Sequence, residues 1–409
     1  MGERVATVMN TPGCVAFWDF VQRETGPAQR FTAHVPPGVS NNYPLDAANY
    51  IQDYWQKGPS ATYSSFPLLG RGPFGQAIRF CSEKDPDFRP VLSVPRARLH
   101  DSPLDIKGAG KSVSVVVWAI RESGNHALAG IWHEGTDLTT KTKTGPLKVE
   151  AGQRQYALFA GLEKEGAACG HISENGGGSF SSHYAQHKAF GREISQKVPA
   201  NAPAERLDAA WHCFAMTFDA NRQEITAWLD GHASDYWQEN PKEDKKGLWP
   251  RYNAWLQSYL HSKPGRQPGE DPAFPADQYY TPPEVTPLAV QVLSETSSER
   301  VEVREFAYTR VKITLHKDAQ GTFTEIARDL VALRMNPWWY PHGIYIPKDA
   351  VSGGPFTIGR VIHTSAAVGF TGWIGGVAVF DRALSAEELV KLTAVGCAKP
   401  LPAPVQSNR

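Results

Sequence analysis

Several signatures that would settle a function at once are missing from the chain. The five cysteines (Cys14, Cys81, Cys169, Cys213 and Cys397) show no C-x-x-C spacing, which argues against zinc-ribbon and thioredoxin chemistry, and their odd number leaves at least one thiol unpaired. Neither sign of charge dominates, since 42 basic side chains face 42 acidic ones. A nucleic-acid backbone or an anionic membrane would meet no overall positive field, so neither partner is expected. No window approaches the ~18 consecutive apolar residues of a membrane span; the longest apolar stretches are strand-sized, such as Val113 to Ile120. The first twenty residues lack the charged-then-apolar order of a secretory leader. The expected compartment is therefore the cytoplasm, or the periplasm or exterior if a leader has been trimmed.

What is present points to strands. The chain holds 36 Gly, 31 Pro, 12 Trp, 14 Tyr and 18 Phe, a mixture of turn-formers and aromatics that suits an all-β protein with long loops. Period-two alternation marks Cys14 to Phe20, Gln76 to Phe80, Lys111 to Arg121, Ala127 to His133 and Gln155 to Gly161. It returns at Trp211 to Asp219, Glu224 to Leu229, Phe356 to Arg360 and Gly372 to Phe380. The clearest helix is Ser385 to Thr393, where Ser385 caps the start and Glu388 completes a capping box. Cys14 and Cys397 would meet if the first and last strands pair, although a buried free thiol is the plainer reading.

The texture changes between Tyr236 and Ala350, where 5 of the 12 Trp, 8 of the 14 Tyr and 12 of the 31 Pro are found. A structureless loop of that length is improbable, so residues 236–350 are read as a folded insertion. Val301 to Tyr308 and Val311 to His316 read as strands, Phe323 to Leu333 as a helix or a strand, and Gln238 to Pro287 as an aromatic, proline-rich meander. The expected order is a first block over 1–235 with an irregular segment at 22–74, the insertion at 236–350, closing strands and a short helix over 351–398, and a tail over 399–409.

The stretch Gly372-Trp-Ile-Gly-Gly-Val-Ala-Val-Phe-Asp-Arg-Ala-Leu-Ser-Ala-Glu-Glu-Leu389 resembles the closing strand and helix of laminin-G-like jelly rolls, within the concanavalin A-like lectin and glucanase superfamily. Val15-Ala-Phe-Trp-Asp-Phe20, Gly75 to Phe80, Val113 to Ala119, Trp211 to Asp219, Ile225 to Gly231 and Phe356 to Arg360 fall in that family's order. The resemblance implies a concanavalin A-like jelly-roll β-sandwich interrupted by the insertion. It implies no single activity, because the same fold serves glycan-binding modules, glycosidases and lyases.

The densest polar chemistry lies between Gln153 and Arg192. Arg154 and Tyr156 share a strand face by period two, as do Cys169, His171 and Ser173. Together with Glu174, His183, Tyr184 and His187 they supply the planar donors and near-neutral proton carriers that a glycan cleft or a lyase needs. The alternative is a mobile loop with solvated histidines. His171, His183, Tyr184, Arg154 and His187 are the catalytic candidates. The glycosidase signature Glu-x-Asp-x-x-Glu is absent, and Glu134 with Asp137 is the best local carboxylate pair. Trp211 and His212 read as structural. Asn336-Pro-Trp-Trp-Tyr-Pro-His-Gly343 reads as a stiff rim whose Trp338, Trp339 and Tyr340 stack sugars, or else pack, with His342, Arg360 and His363 nearby. The fold resemblance also implies a calcium near Asp19, for which an oxygen ligand is suitable; no organic cofactor is expected. The functional expectation is an oligo- or polysaccharide-recognising protein with a cleft formed by the sheet and the insertion. The alternatives are a polysaccharide lyase or glycosidase, and a structural or adhesive module.

Overall fold

The computed structural model describes residues 2–81, 84–123, 126–134, 153–161, 168–176, 186–190, 194, 196, 198–199, 201–245, 249–263, 279–362 and 369–398. The chain divides into two units. The larger opens with α1 (Gly2–Asn10), β1 (Cys14–Trp18), β2 (Asp46–Asn49), α2 (Tyr50–Trp55), β3 (Leu68–Gly72), β4 (Gly75–Phe80), β5 (Pro90–Val94) and α3 (Arg96–Leu99). It continues through β6 (Val113–Ser123), β7 (His126–His133), β8 (Gln153–Ala160), β9 (Ala168–Ser173), β10 (Gln186–Phe190), α4 (Ala204–Asp208), β11 (His212–Asp219), β12 (Glu224–Leu229) and β13 (His232–Ala233). The smaller holds β14 (Tyr236–Glu239), α5 (Trp249–His261), β15 (Ala289–Glu295), β16 (Glu299–Glu305), β17 (Thr309–Lys317), β18 (Phe323–Asn336) and β19 (Trp338–Trp339). The chain then returns to the larger unit with β20 (Phe356–Ile358), β21 (Thr371–Phe380) and α6 (Ala386–Gly396).

Two antiparallel sheets make the larger unit. One runs β13-β12-β11-β6-β21-β4-β3 with β1 paired to β21, and the other runs β10-β9-β8-β7-β20-β5-β2. They stack face to face: Trp18 of β1 lies parallel to Phe356 of β20 with ring centroids 5.2 Å apart, and a Cβ placed on Gly170 of β9 would sit 3.0 Å from Met216 of β11. This is an antiparallel jelly-roll β-sandwich, closed by pairing the first strand with the last at Phe17 and Ala378.

The outer face of the first sheet is covered. Trp118 of β6 is fully buried there, edge-on to Phe17 and Phe74, and its indole N–H donates to the Leu392 carbonyl of α6 at 3.1 Å. α6 begins where its sequence says it should: the Ser385 side chain accepts from the Glu388 N–H, and Glu388 accepts from the Ser385 N–H. Ser385→Ala is expected to cost about 1 kcal/mol, measured by urea titration, with no change in the far-ultraviolet spectrum at zero denaturant. All five cysteines are free thiols, so the first and last strands meet without a Cys14–Cys397 bond. Among the described residues no helix is long and apolar enough to cross a membrane.

The smaller unit is a sheet in the order β14-β18-β17-β16-β15. Thr309, Val311, Ile313 and Leu315 of β17 alternate inward. Phe323 to Leu333, ambiguous by pattern, is strand because β17 offers it a full ladder partner. The stretch read as meander contains α5 instead. Its Pro250 sits in the first turn, where a missing N–H costs nothing, and its Tyr252 and Trp255 bury one face.

Candidate functional site

The outer face of the second sheet carries a cleft of about 790 Å³. Alternation builds its floor: Leu92, Phe356 and Ile358 point into the sandwich core, leaving Ser93 of β5 and its register partner Thr357 of β20 to face outward. One wall is α2, with Tyr50, Asp53 and Tyr54. The far side is formed by His133 and Gln153, paired at the ends of β7 and β8, together with Arg96 and Gly353. α2 is held in place by Asn49, whose carboxamide accepts from the Ile51 and Arg89 N–H groups and donates to the Pro59 and Asp87 carbonyls at 2.8 and 2.9 Å. The Tyr54 ring meets His133 edge-on at 5.3 Å.

The ionic groups at the cleft are largely matched within the protein. Asp46 accepts from Arg30 at 3.1 Å and from Arg98. Arg96 makes a two-pronged pair with Asp105 at 2.8 and 2.9 Å, and Lys107 joins the same carboxylate at 2.7 Å. Burial works against the Asp105 charge, yet the guanidinium, the ammonium and the Asp101 N–H hold its carboxyl below the usual range. Asp53 goes the other way, raised by burial alone. The lining therefore offers hydroxyls, a carboxamide, one carboxylate raised by burial and aromatic rings, with no excess of positive charge.

The polar band singled out in the sequence divides. On β9, Gly170 faces the opposite sheet, so His171 points outward. It is 3% exposed, wedged edge-on to Trp132 at 5.0 Å and 4.6 Å from Phe159, with Cys169 Sγ at 3.4 Å from Nε2. Arg154 is buried over the Trp132 ring and pairs with Glu134 at 3.0 Å, while the Trp132 indole donates to Glu134 at 2.9 Å. Burial lowers the Arg154 guanidinium against the pull of Glu134. These residues form a packed cluster rather than an open catalytic surface. Tyr156 does not share the face of Arg154, contrary to the period-two reading. The β7–β8 ladder slips so that Tyr156 pairs with Ile131 and Arg154 with Trp132, and this bulge turns the two side chains apart. Tyr156 is fully buried and donates to the Leu104 carbonyl at 2.7 Å. His183, Tyr184, Asp137 and His363 lie outside the described residues, as does the side chain of His187 on β10.

The expected stacking platform is corrected by packing. Trp338 is fully buried, stacked on Tyr280 at 4.6 Å, and Trp339 meets Tyr280 and Tyr308. Their faces are occupied because residues distant in sequence cover them, which the local run of aromatics does not reveal. Tyr340 is also fully buried, edge-on to Phe218 at 5.5 Å. Glu174 and His342 are brought together at 2.5 Å beside a recess of about 400 Å³ that includes Asn175 and Tyr345. Arg360 lies beneath the cleft instead of on its rim: it is 1% exposed, donates to the Pro90 carbonyl at 3.1 Å and bonds Tyr50, and burial brings its guanidinium down to about 10. His212 is structural, bonded to Asp230 at 2.7 Å, while Asp230 also accepts from the Cys213 N–H.

Asp19 does not fit a calcium ligand. One carboxylate oxygen accepts from the Val21 and Gln22 N–H groups and the other contacts His34 Nε2 at 2.8 Å. Burial opposes its charge, but His34 and the amides hold the carboxyl below its ordinary value. Three donors already face it, where a hard cation needs oxygens. Among the described residues, His100, Asp101 and Asp105 also gather within 4.8 Å, but Arg96 and Lys107 neutralise that group.

Sequence reasoning missed Tyr54, Asp53, Ser93 and Thr357. A helix-start signal was available in Asn49 preceding Tyr-Ile-Gln-Asp-Tyr-Trp55. The outward residues of β5 and β20 have no signal apart from their strands.

No family model matches the chain, and no curated protein matches it. Among solved structures, it aligns with domain 4 of AbnA, a GH43 extracellular arabinanase from Geobacillus stearothermophilus in complex with arabinotriose, at 8% identity, covering 93% of this chain and 98% of that one, with a TM-score of 0.37. The binding domain of botulinum neurotoxin serotype G aligns at 7% identity over 93% of this chain and 51% of that one, TM-score 0.36. Trypanosoma rangeli sialidase in complex with sialic acid aligns at 9% identity over 97% and 38%, TM-score 0.34. The chain thus spans about half the length of the toxin domain, and similarities this loose carry no argument about the site. The β-sandwich itself rests on the strand order and register described above.

Proposed function

We propose that this protein binds an oligo- or polysaccharide, as a laminin-G-type member of the jelly-roll superfamily, in the cleft on the outer face of its second sheet. The observation that carries the reading is the make-up of that cleft. A hollow of about 790 Å³ combines the Tyr54 ring with the outward Ser93 hydroxyl and the Gln153 carboxamide, while the Thr357 hydroxyl in its floor donates to the Gly130 carbonyl. Sugar faces stack on such rings, and sugar hydroxyls exchange hydrogen bonds with neutral side chains of this kind. The pairing of Arg96 with Asp105 favours neutral glycans over uronates, because the cleft's one lining guanidinium is already held by a carboxylate.

A glycan array followed by titration of the best ligand tests this. Tyr54→Ala is expected to weaken binding by roughly 1–3 kcal/mol with little change in the melting temperature, Tyr54 being partly exposed. Absence of glycan binding across the array would overturn the reading. Assaying the same panel for turnover separates a binding protein from an enzyme. The enzyme reading draws its support from His133 lying beside Tyr54 at the cleft; reducing ends would identify a hydrolase and an unsaturated, ultraviolet-absorbing product a lyase.

A further inference from the structure

Among the described residues, the sheet of the smaller unit ends in an uncovered edge. β15 is the last strand of its sheet, and every one of its seven residues is exposed. Val290, Val292 and Leu293 are 50%, 49% and 51% exposed, and Leu288 just before them is 70% exposed. An edge strand with free backbone donors and acceptors and apolar side chains on both faces is a template for another strand, and proteins normally blunt it with lysine, proline or a cover. Between Leu288 and Val292 there is no charge and no proline.

We propose that β15 pairs antiparallel with β15 of a second copy of this chain, in a register centred on Val290. The sequence supports that register. It sets Leu288 against Val292, Ala289 against Gln291, and Val290 against itself, with no like charges opposed. One step further out, Pro287 meets Leu293. Pro287 has no N–H to give, and Leu293 is where the β15–β16 ladder slips between Val292 and Ser294. The two features that end pairing therefore face each other, leaving an uninterrupted five-residue ladder between them. Charges on the neighbouring strands do not oppose the approach. Glu302 pairs with Arg304 at 2.6 Å, Glu305 with Arg310 at 2.6 Å, and Glu295 with Arg300 at 2.7 Å. A two-fold axis supplies the antiparallel direction that the whole sheet already uses.

Sedimentation velocity on the full chain across a hundredfold concentration range tests the proposal. A monomer–dimer equilibrium is expected. Val290→Lys, which puts two ammonium groups face to face at the axis, is expected to weaken the dimer at least tenfold without moving the melting temperature. A second variant locates the contact independently of that result. In a Cys81→Ser background, which removes the exposed thiol and leaves the buried ones, Val290→Cys is expected to form a disulfide-linked dimer on mild oxidation, whereas the background alone does not. A monomer at all concentrations, a dimer indifferent to Val290→Lys, or a dimer in which Val290→Cys fails to cross-link would each overturn the proposal.

Discussion

Replacing Trp118 by alanine is expected to lower the stability of the sandwich by about 3–5 kcal/mol, among the largest costs of any single truncation in the larger unit. Three contributions combine at this side chain. Its ring is fully buried in the middle of β6. It meets Phe74 at 4.8 Å and Phe17 at 6.0 Å, both edge-on, and such aromatic contacts add to area burial. Its N–H donates to the Leu392 carbonyl near the C-terminus of α6, so truncation also removes the hydrogen bond that ties the strand to this helix. The space cannot refill easily, because Gly396 and Gly376 approach the indole so closely that a Cβ on either would fall 2.3 and 3.1 Å from it. Chemical denaturation of the variant checks this, and a loss below about 1 kcal/mol would contradict the packing described.

Asp105→Asn is expected to cost a similar amount, about 3–5 kcal/mol at neutral pH, because it removes the charge that compensates a buried guanidinium. The Asp105 side chain is fully buried, and the Arg96 side chain is 8% exposed. Lys107 and the Gln155 carboxamide, at 2.7 and 3.2 Å, lean on the same carboxylate. The pH dependence follows from the direction of the shift. Asp105 is held below its ordinary value in the folded state, so its contribution is present in full above the unfolded carboxylate value of about 3.9 and is lost as pH falls through the lower folded value. Wild type and Asp105→Asn should therefore differ most at neutral pH and converge in acid. A gap that widens on acidification would contradict the pairing. Since Arg96 also lines the cleft, the variant is expected to bind glycan less tightly, in proportion to the disorder it introduces there.

The sandwich was legible because its signals are local. Trp211 to Asp219 alternates within itself, and Ser385 with Glu388 announces a helix start in four residues. The cleft was much less legible. Ser93 and Thr357 become neighbours only because β20, arriving more than 250 residues later, inserts between β5 and β7. Arg154 and Tyr156 were assigned to one face by a rule that a single bulge defeats. Trp338 and Trp339 misled for a related reason. An aromatic run between prolines has the same composition whether its faces meet a ligand or Tyr280 and Tyr308, and only tertiary contacts distinguish the two. The histidine cluster met the same limit, since His171 is locked between Trp132 and Phe159 by strands it cannot be paired with from sequence.

The most direct test of the account is a calorimetric titration of the best array glycan into wild type and Tyr54→Ala, with Trp338→Ala as the control for buried aromatics. The account predicts a roughly 10- to 100-fold weaker Kd for Tyr54→Ala at unchanged stability, and for Trp338→Ala an unchanged Kd with lowered stability. Wild-type affinity in Tyr54→Ala, or a loss of affinity in Trp338→Ala without a loss of stability, would place the glycan elsewhere and contradict it.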